Sequence, residues 1–211
     1  MDPEELAAVG ERAREQLAAR HDVREVVLAS VRPTIQASAA SIRATHRGEF
    51  DLATTRRDEA AAHLVRANAA LVAAPEARFA GNLRDAEKEY VEASITLAFV
   101  RGDALPTMDS LDVDAAAYLN GLCEAASELR RAALDAMRRG DLPAGERYLA
   151  TMDDVYGLLV TIDFPDAVTG GLRRNTDALR AVLERTRADV TTTAVAARLQ
   201  QAIEQAAPPA S

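Results

Sequence analysis

The chain has 211 residues, of which 48% are hydrophobic and only 4% aromatic, and its formal net charge is −8. A chain of this length can bury one sizeable core, which here must be built from Leu, Val, Ile and Ala. The negative charge argues against general attraction to nucleic acid, so any such contact has to be local or metal-assisted.

Cysteine content and hydropathy indicate where the protein resides. The only cysteine, Cys123, cannot form an intrachain disulfide, which favours a reducing compartment. No apolar run approaches the roughly 20 residues of a membrane-spanning helix. The acidic start MDPEEL lacks the features of a signal peptide. We therefore predict a cytoplasmic protein with no membrane partner.

Apolar residues recur at helical spacing, and no segment shows the alternation of a strand. The predicted fold class is all-α, a single-domain bundle of about seven helices over residues 1–211. In chain order the predicted helices cover residues 1–22 (an extra N-terminal helix), 23–46, 51–74, 76–101, 112–139, 143–162, 163 or 166 to 187, and 193–205. The tail, residues 206–211, is predicted to be frayed.

These boundaries depend on capping residues and on proline and glycine. A break is predicted near residues 21–22, and Pro33 is expected to kink or divide the following helix. Asp112 is the predicted N-cap of the helix that ends near residue 139. Gly170 and Gly171 fall inside a predicted helix, where each is unfavourable by about 1 kcal/mol relative to Ala. Close packing or a local bend would account for them.

Two acidic pairs lie in the middle of predicted helices, Glu89 with Glu92 and Glu124 with Glu128. Residues three or four apart share a helix face, and like charges at that spacing destabilise a helix by roughly 0.2–0.5 kcal/mol per pair. Arg131, close to Glu128, is the only cation one turn on from these acids. The two pairs therefore suggest that a cation is missing from the sequence pattern.

The pairs have two interpretations. They can be a solvated face of an acidic protein, or a site for Mg²⁺ or Mn²⁺, which prefer oxygen ligands. Such an ion polarises a phosphoryl oxygen and lowers the pKa of a bound water. A helical di-iron site would instead require Glu-x-x-His pairs, which the sequence lacks. The three histidines are predicted to be surface residues.

Several segments resemble the translin superfamily. They are Glu-Tyr-Val-Glu-Ala at 89–93, Tyr-Leu-Asn-Gly-Leu at 118–122, Ser-Glu-Leu-Arg-Arg at 127–131, the run 164–174 from Phe to Arg, and Leu-Glu-Arg-Thr-Arg at 183–187. The similarity spans about residues 24–191, and the last two segments look like archaeal members. The 89–93 segment places the chain nearer the branch of translin-associated factor X.

The resemblance implies a seven-helix fold that assembles into hollow, usually octameric shells and binds single-stranded RNA or DNA. It also implies a metal-dependent endoribonuclease site at Glu89, Glu92, Glu124 and Glu128. Glu124 stands where the family usually has Asp. In the basic motif of translin, Arg78 fits one position, whereas Ala80 and Asn82 stand where histidines are expected. The residues predicted to contact RNA are Arg78, Arg84 and Arg131.

The sequence thus predicts an endoribonuclease that cleaves single-stranded RNA with Mg²⁺ or Mn²⁺ inside a homo-oligomeric shell. The four glutamates would bind the ion directly or through water, and one of them, unassigned, would accept a proton from the attacking water. Two alternatives stay open. The protein can be a non-catalytic binder of single-stranded RNA or DNA, or a purely structural helical oligomer.

Overall fold

The described part of the chain is built from helices. The computed structural model describes residues 2–79 and 83–206. Its α-helices are α1 (Pro3–His46), α2 (Phe50–Leu71), α3 (Leu83–Arg101), α4 (Met108–Leu111), α5 (Ala115–Arg138), α6 (Leu142–Leu159), α7 (Asp166–Thr169) and α8 (Leu172–Ala206). These residues form no strand, so the all-α prediction is confirmed. Within the same ranges, no helix is long and apolar enough to cross a membrane.

The first helix, α1, is continuous over 44 residues. The predicted break near residues 21–22 is therefore wrong, and residues 3–22 form the first half of α1 rather than a separate helix. Asp22 can cap a helix only where the preceding chain is not helical, and the preceding residues are mostly Ala, Arg, Glu and Leu, which favour helix. The helix starts instead at Asp2, whose Oδ1 accepts a hydrogen bond from the Glu4 N–H at 3.0 Å. Pro33 lies inside α1 without dividing it.

Two boundaries around α3 and α5 also differ from prediction. The predicted helix 76–101 is divided into a 3₁₀ turn, Pro75–Phe79, and α3. The N-cap of α5 is Asp114, whose Oδ1 accepts a hydrogen bond from the Ala116 N–H at 3.0 Å. Asp112 adopts a left-handed conformation with φ of 51° and ends the short helix α4. Outside the described residues lie Ala80, Asn82 and residues 207–211 of the predicted frayed tail.

The last two predicted helices are one helix, α8, because the chain stays helical between residues 187 and 193. Three consecutive threonines there donate their hydroxyl hydrogens to carbonyl oxygens four residues earlier, at 2.7–2.9 Å. Their low helix propensity is therefore not enough to end the helix. Gly170 and Gly171 lie outside any helix: with φ of 63° and 88° they form the turn between α7 and α8.

Helix α5 packs against α3, α6 and α8, while α1 packs against α2 and α3. One core lies between α3, α5, α6 and α8, and includes Leu122 and Leu129 of α5. A second core lies between α1, α2 and α3. Helix α3 belongs to both, because Val91 and Ile95 face the first core and Tyr90 faces the second. The buried side chains of α3 are therefore packed on two sides of the helix.

Helices α3 and α5 cross in close contact at Gly121. A Cβ atom at this position would lie 2.7 Å from the carbonyl oxygen of Lys88 and 2.6 Å from Cβ of Val91. Only glycine permits this approach of the two backbones. Because Val91 lies between the first two acids and Gly121 precedes the third by three residues, the crossing brings the acidic residues of the two helices together.

Candidate metal centre

Three of the four predicted carboxylates converge. Glu89 and Glu92 of α3 and Glu124 of α5 each offer one oxygen, and these oxygens lie within 4.8 Å of one another. The residue Glu92 is 8% exposed, whereas the side chains of Glu89 and Glu124 are 27% and 30% exposed. Water and solutes can therefore reach one side of the cluster, which we call the acidic cluster.

Glu128 lies outside this group, one turn further along α5. Its Oε2 is 2.6 Å from Nε2 of His46, which belongs to the last turn of α1. The His46 side chain is only 3% exposed, so the prediction of a surface histidine is wrong for this residue. It is buried because α1 packs along α3, which places its end beside α5. A contact across 82 residues of sequence leaves no local signal in the pattern.

Lys88, the only lysine of the chain, provides a positive charge beside two of the acids. Its Nζ donates to both oxygens of Glu124, at 2.8 and 2.7 Å, and lies 3.3 Å from Oε1 of Glu89. Burial by itself would lower the pKa of Lys88, but the hydrogen bonds and charges of Glu124 and Glu89 raise it above its ordinary value. The ammonium group is therefore firmly charged.

Glu92 is the carboxyl group without a cation. Burial, followed by the charges of Glu124, Glu89 and Glu128 and a hydrogen bond to Glu124, raises the pKa of Glu92 to about 9. The group is consequently protonated at neutral pH. No basic side chain of the described residues forms an ion pair with it, since Lys88 and His46 contact the other three acids.

A divalent cation fits this donor set. Mg²⁺ and Mn²⁺ are bound through oxygen, and Mg²⁺ commonly uses one or two carboxylates together with water. Glu89, Glu92 and Glu124 would hold the ion. The added positive charge would favour the ionised form of Glu92, the one member of the cluster that forms no ion pair within residues 2–79 and 83–206.

The three arginines predicted to contact RNA have different surroundings. Arg78 donates to the buried carboxylate of Glu87 at 2.6 Å, and burial, partly offset by Arg78, raises the pKa of Glu87 to about 7. Arg84 is exposed, with its Nε 3.8 Å from Asp114, and it lines a cleft beside the acidic cluster. Arg131 is exposed on α5. Arg84 therefore lies next to the acidic cluster, whereas Arg78 forms an ion pair with Glu87.

The fold and sequence match those of known proteins. AfC3PO, a component 3 promoter of RISC from the translin family, is 33% identical to this chain, with a TM-score of 0.77 over 91% of this chain and 98% of that structure. The chain belongs to the translin family. The predicted archaeal type is thereby confirmed as well.

Other translin-family comparisons agree. AfC3PO has also been solved in complex with duplex RNA, and that structure matches with the same identity and TM-score. NeC3PO, at 18% identity and a TM-score of 0.72 over 92% of this chain, shows the fold alone. A Methanocaldococcus jannaschii protein of uncharacterised function is 33% identical over 179 residues, which are 83% of this chain and 78% of that protein. No family model matches the chain.

Proposed function

We propose that this translin-family protein is a Mg²⁺- or Mn²⁺-dependent endoribonuclease that acts on single-stranded RNA within a homo-oligomeric shell, with an octamer as the predicted assembly. The observation that carries the proposal is the convergence of Glu89, Glu92 and Glu124, one of which is buried without a cation. The RNA complex of AfC3PO supports RNA as the ligand class.

The chain's own groups have distinct tasks in this proposal. A bound ion would polarise a phosphoryl oxygen and acidify a water. Lys88 holds Glu124 through both carboxylate oxygens and so fixes the orientation of that side chain. His46, in the last turn of α1, contacts one carboxylate oxygen of Glu128, Oε2, at 2.6 Å. One of the four glutamates accepts the proton of the attacking water, and the assignment among them stays open.

The alternative function, a non-catalytic binder of single-stranded RNA or DNA, is favoured by one specific contact. Lys88 already neutralises Glu124 and lies close to Glu89, so that two of the three clustered acids have a cation from the protein itself. In that case the acids serve structure, and nucleic acid binds through arginines. Binding would then weaken steeply with salt and no divalent ion would support cleavage.

Glu89→Gln separates the two functions. With Mn²⁺ and an unstructured labelled RNA, we expect the variant to lose cleavage by at least about a hundredfold, since removing even an outer partner of a metal ligand typically lowers metal affinity or activity 10- to 100-fold. The measurement is the cleavage rate on denaturing gels, with chelator as the blank. Duplex RNA and single-stranded DNA of the same sequence test the preference for single-stranded RNA.

Glu184→Gln is the matched control, because Glu184 has a 62% exposed side chain on α8 and its nearest basic partner, Arg187, is 3.9 Å away. It should cleave at the wild-type rate. Light scattering on all three proteins should give the same oligomer, so that lost cleavage is not a loss of assembly. Equal cleavage by the wild type and Glu89→Gln would reject the nuclease site, and RNA binding without cleavage by any of them would favour the alternative.

A further inference from the structure

A small polar cleft of about 140 Å³ lies directly beside the acidic cluster. It is formed by the first two turns of α3, the first half of α5, the turn between α7 and α8, and the start of α8. Lys88 and Glu124 line it, so the cleft and the acidic cluster share a wall. On its other side the cleft is lined by Arg84 and by Arg174 of α8.

The floor of the cleft is fixed by Asn120, which is 4% exposed. Its Nδ2 donates to the carbonyl oxygens of Ala116 and Thr169, at 2.8 and 2.7 Å, and its Oδ1 accepts from Nδ2 of Asn175 at 2.8 Å. One buried amide thereby connects α5 with the end of α7 and the first turn of α8. The cleft is therefore held open by the fold rather than by its exposed side chains.

The two arginines of the cleft lie close to the backbone of the glycine turn. A Cβ atom on Gly170 would lie 3.6 Å from Nη1 of Arg84, and one on Gly171 would lie 3.6 Å from Nη2 of Arg174. Both glycines have positive φ, so other residues would be strained there. The turn between α7 and α8 thus presents two guanidinium groups at one place on the surface.

The charges of the cleft are unevenly matched. Lys88 is bound to Glu124, and Arg84 is 3.8 Å from Asp114. Asp85 also lines the cleft. Arg174 forms no salt bridge with any residue in the described ranges, although its neighbours in the cleft are polar. An unpaired guanidinium, with its planar set of N–H donors, is the group that proteins use to bind phosphate oxygens.

We propose that this cleft is a phosphate subsite, in which Arg174 and Arg84 bind the backbone phosphate of an RNA strand next to the phosphate held at the acidic cluster. The proposal rests on the proposed function for its ligand class. Lys88 and Glu124 separate the acidic cluster from the cleft and line both. An RNA strand that passes over these two side chains from the acidic cluster therefore enters the cleft. The subsite positions the backbone and reads no base.

The neighbouring arginine provides a matched control. Arg173 is exposed, as Arg174 is, but it lines a separate groove with Phe164 and Asp177 beside the end of α6. Arg174→Gln and Arg173→Gln therefore remove the same charge from adjacent positions on different faces of α8. Because hydrogen bonds to charged groups are among the stronger ones, we expect Arg174→Gln to weaken RNA binding about tenfold, Arg84→Gln to act in the same direction, and Arg173→Gln to leave it unchanged.

Binding is measured with a labelled single-stranded RNA in chelator, by fluorescence anisotropy at several salt concentrations. The affinity falls with salt, and for Arg174→Gln the slope of log affinity against log salt should be less steep by about 0.7, the value for one phosphate of a single strand. A DNA of the same sequence should show the same change. Thermal melting of each variant should match the wild type, because the side chains of Arg84, Arg173 and Arg174 are all exposed.

The outcomes separate this proposal from the nuclease. Equal affinities and slopes for Arg174→Gln and Arg173→Gln overturn the subsite and leave the nuclease standing if Mn²⁺ still supports cleavage. A selective loss with Arg174→Gln supports the subsite even if the wild type does not cleave RNA. Absence of any binding to RNA or DNA by the wild type overturns the subsite together with the proposed function.

Discussion

Gly121→Ala is expected to destabilise the protein by about 1–3 kcal/mol and to abolish the metal-dependent activity, although the change adds a single methyl group. The new Cβ would lie 2.7 Å from the Lys88 carbonyl oxygen and 2.6 Å from Val91 Cβ, distances that real contacts do not reach. Backbone atoms of α3 cannot rotate away as a side chain end can. The two helices must therefore move apart, which widens the spacing between Glu92 and Glu124.

Gly157→Ala is the control for this prediction. Gly157 lies inside α6, and nothing comes within 4 Å of a Cβ built there. Because Ala is the better helix former by up to about 1 kcal/mol, this variant should be as stable as the wild type or more stable. Urea unfolding measures both free energies. A Gly121→Ala protein with wild-type stability and full cleavage would show that the α3–α5 crossing does not determine the acidic cluster.

The fold class was predictable because helical periodicity is a local property. The apolar stripe along α5, for example, can be recognised within a few turns of sequence. The predicted helix ends were wrong where a residue that disfavours helix stands among residues that favour it. Asp22 and the threonines near residue 192 weaken a helix without ending it, whereas Gly170 and Gly171 end one through positive φ, which a propensity scale records only as a modest penalty.

The sequence predicts the grouping of the acids within each helix, but not the contact between the two helices that forms the acidic cluster. The spacing of each pair shows that its carboxylates share a helix face, but the meeting of the two pairs depends on how α3 and α5 cross. Gly121 decides that crossing, and in the sequence it is one small residue among many. Lys88 was visible beside Glu89, yet its main partner is Glu124, 36 residues away on another helix. His46 was hidden for the same reason.

These contacts change the physical meaning of the acid pairs. A helix with uncompensated like charges suggests a missing cation, but in the folded protein Lys88 and His46 contact three of the four acids. The unmet requirement is confined to Glu92, which is also the most buried of the three clustered acids. The protonated form of Glu92 stabilises the metal-free fold, whereas a metal ion would require its ionised form. Because pH sets which form is present, measurements at different pH values separate the two effects.

Metal-free protein is expected to lose stability as the pH rises from about 5 to about 9, and Glu92→Gln is expected to remove much of that loss. The ordinary pKa of Glu is 4.5, and in the folded protein burial and the neighbouring carboxylates raise the pKa of Glu92 to about 9. Between these values the folded state holds a proton that the unfolded state has released. The contribution is therefore fully present below pH 4.5 and is lost as the pH rises through about 9.

The measurement is urea unfolding in chelator at pH 6, 7.5 and 9 for the wild type, Glu92→Gln and the exposed control Glu184→Gln. Glu87, whose pKa burial raises to about 7, adds a similar decline below neutral pH in all three proteins, so it cancels in the differences. The wild type and Glu184→Gln should give parallel curves, and Glu92→Gln should be the most stable of the three at pH 9. Parallel curves for all three would mean that Glu92 is ionised in the folded protein.

Added Mn²⁺ should reverse this order. A divalent ion favours the ionised carboxylate, so it should stabilise the wild type more at pH 9 than at pH 6, in proportion to how far its concentration exceeds the dissociation constant. Glu92→Gln, which has no proton to exchange for the ion at this position, should gain much less at either pH. An equal gain in both proteins would mean that Mn²⁺ binds elsewhere, because the difference between the two proteins is confined to one buried carboxyl group.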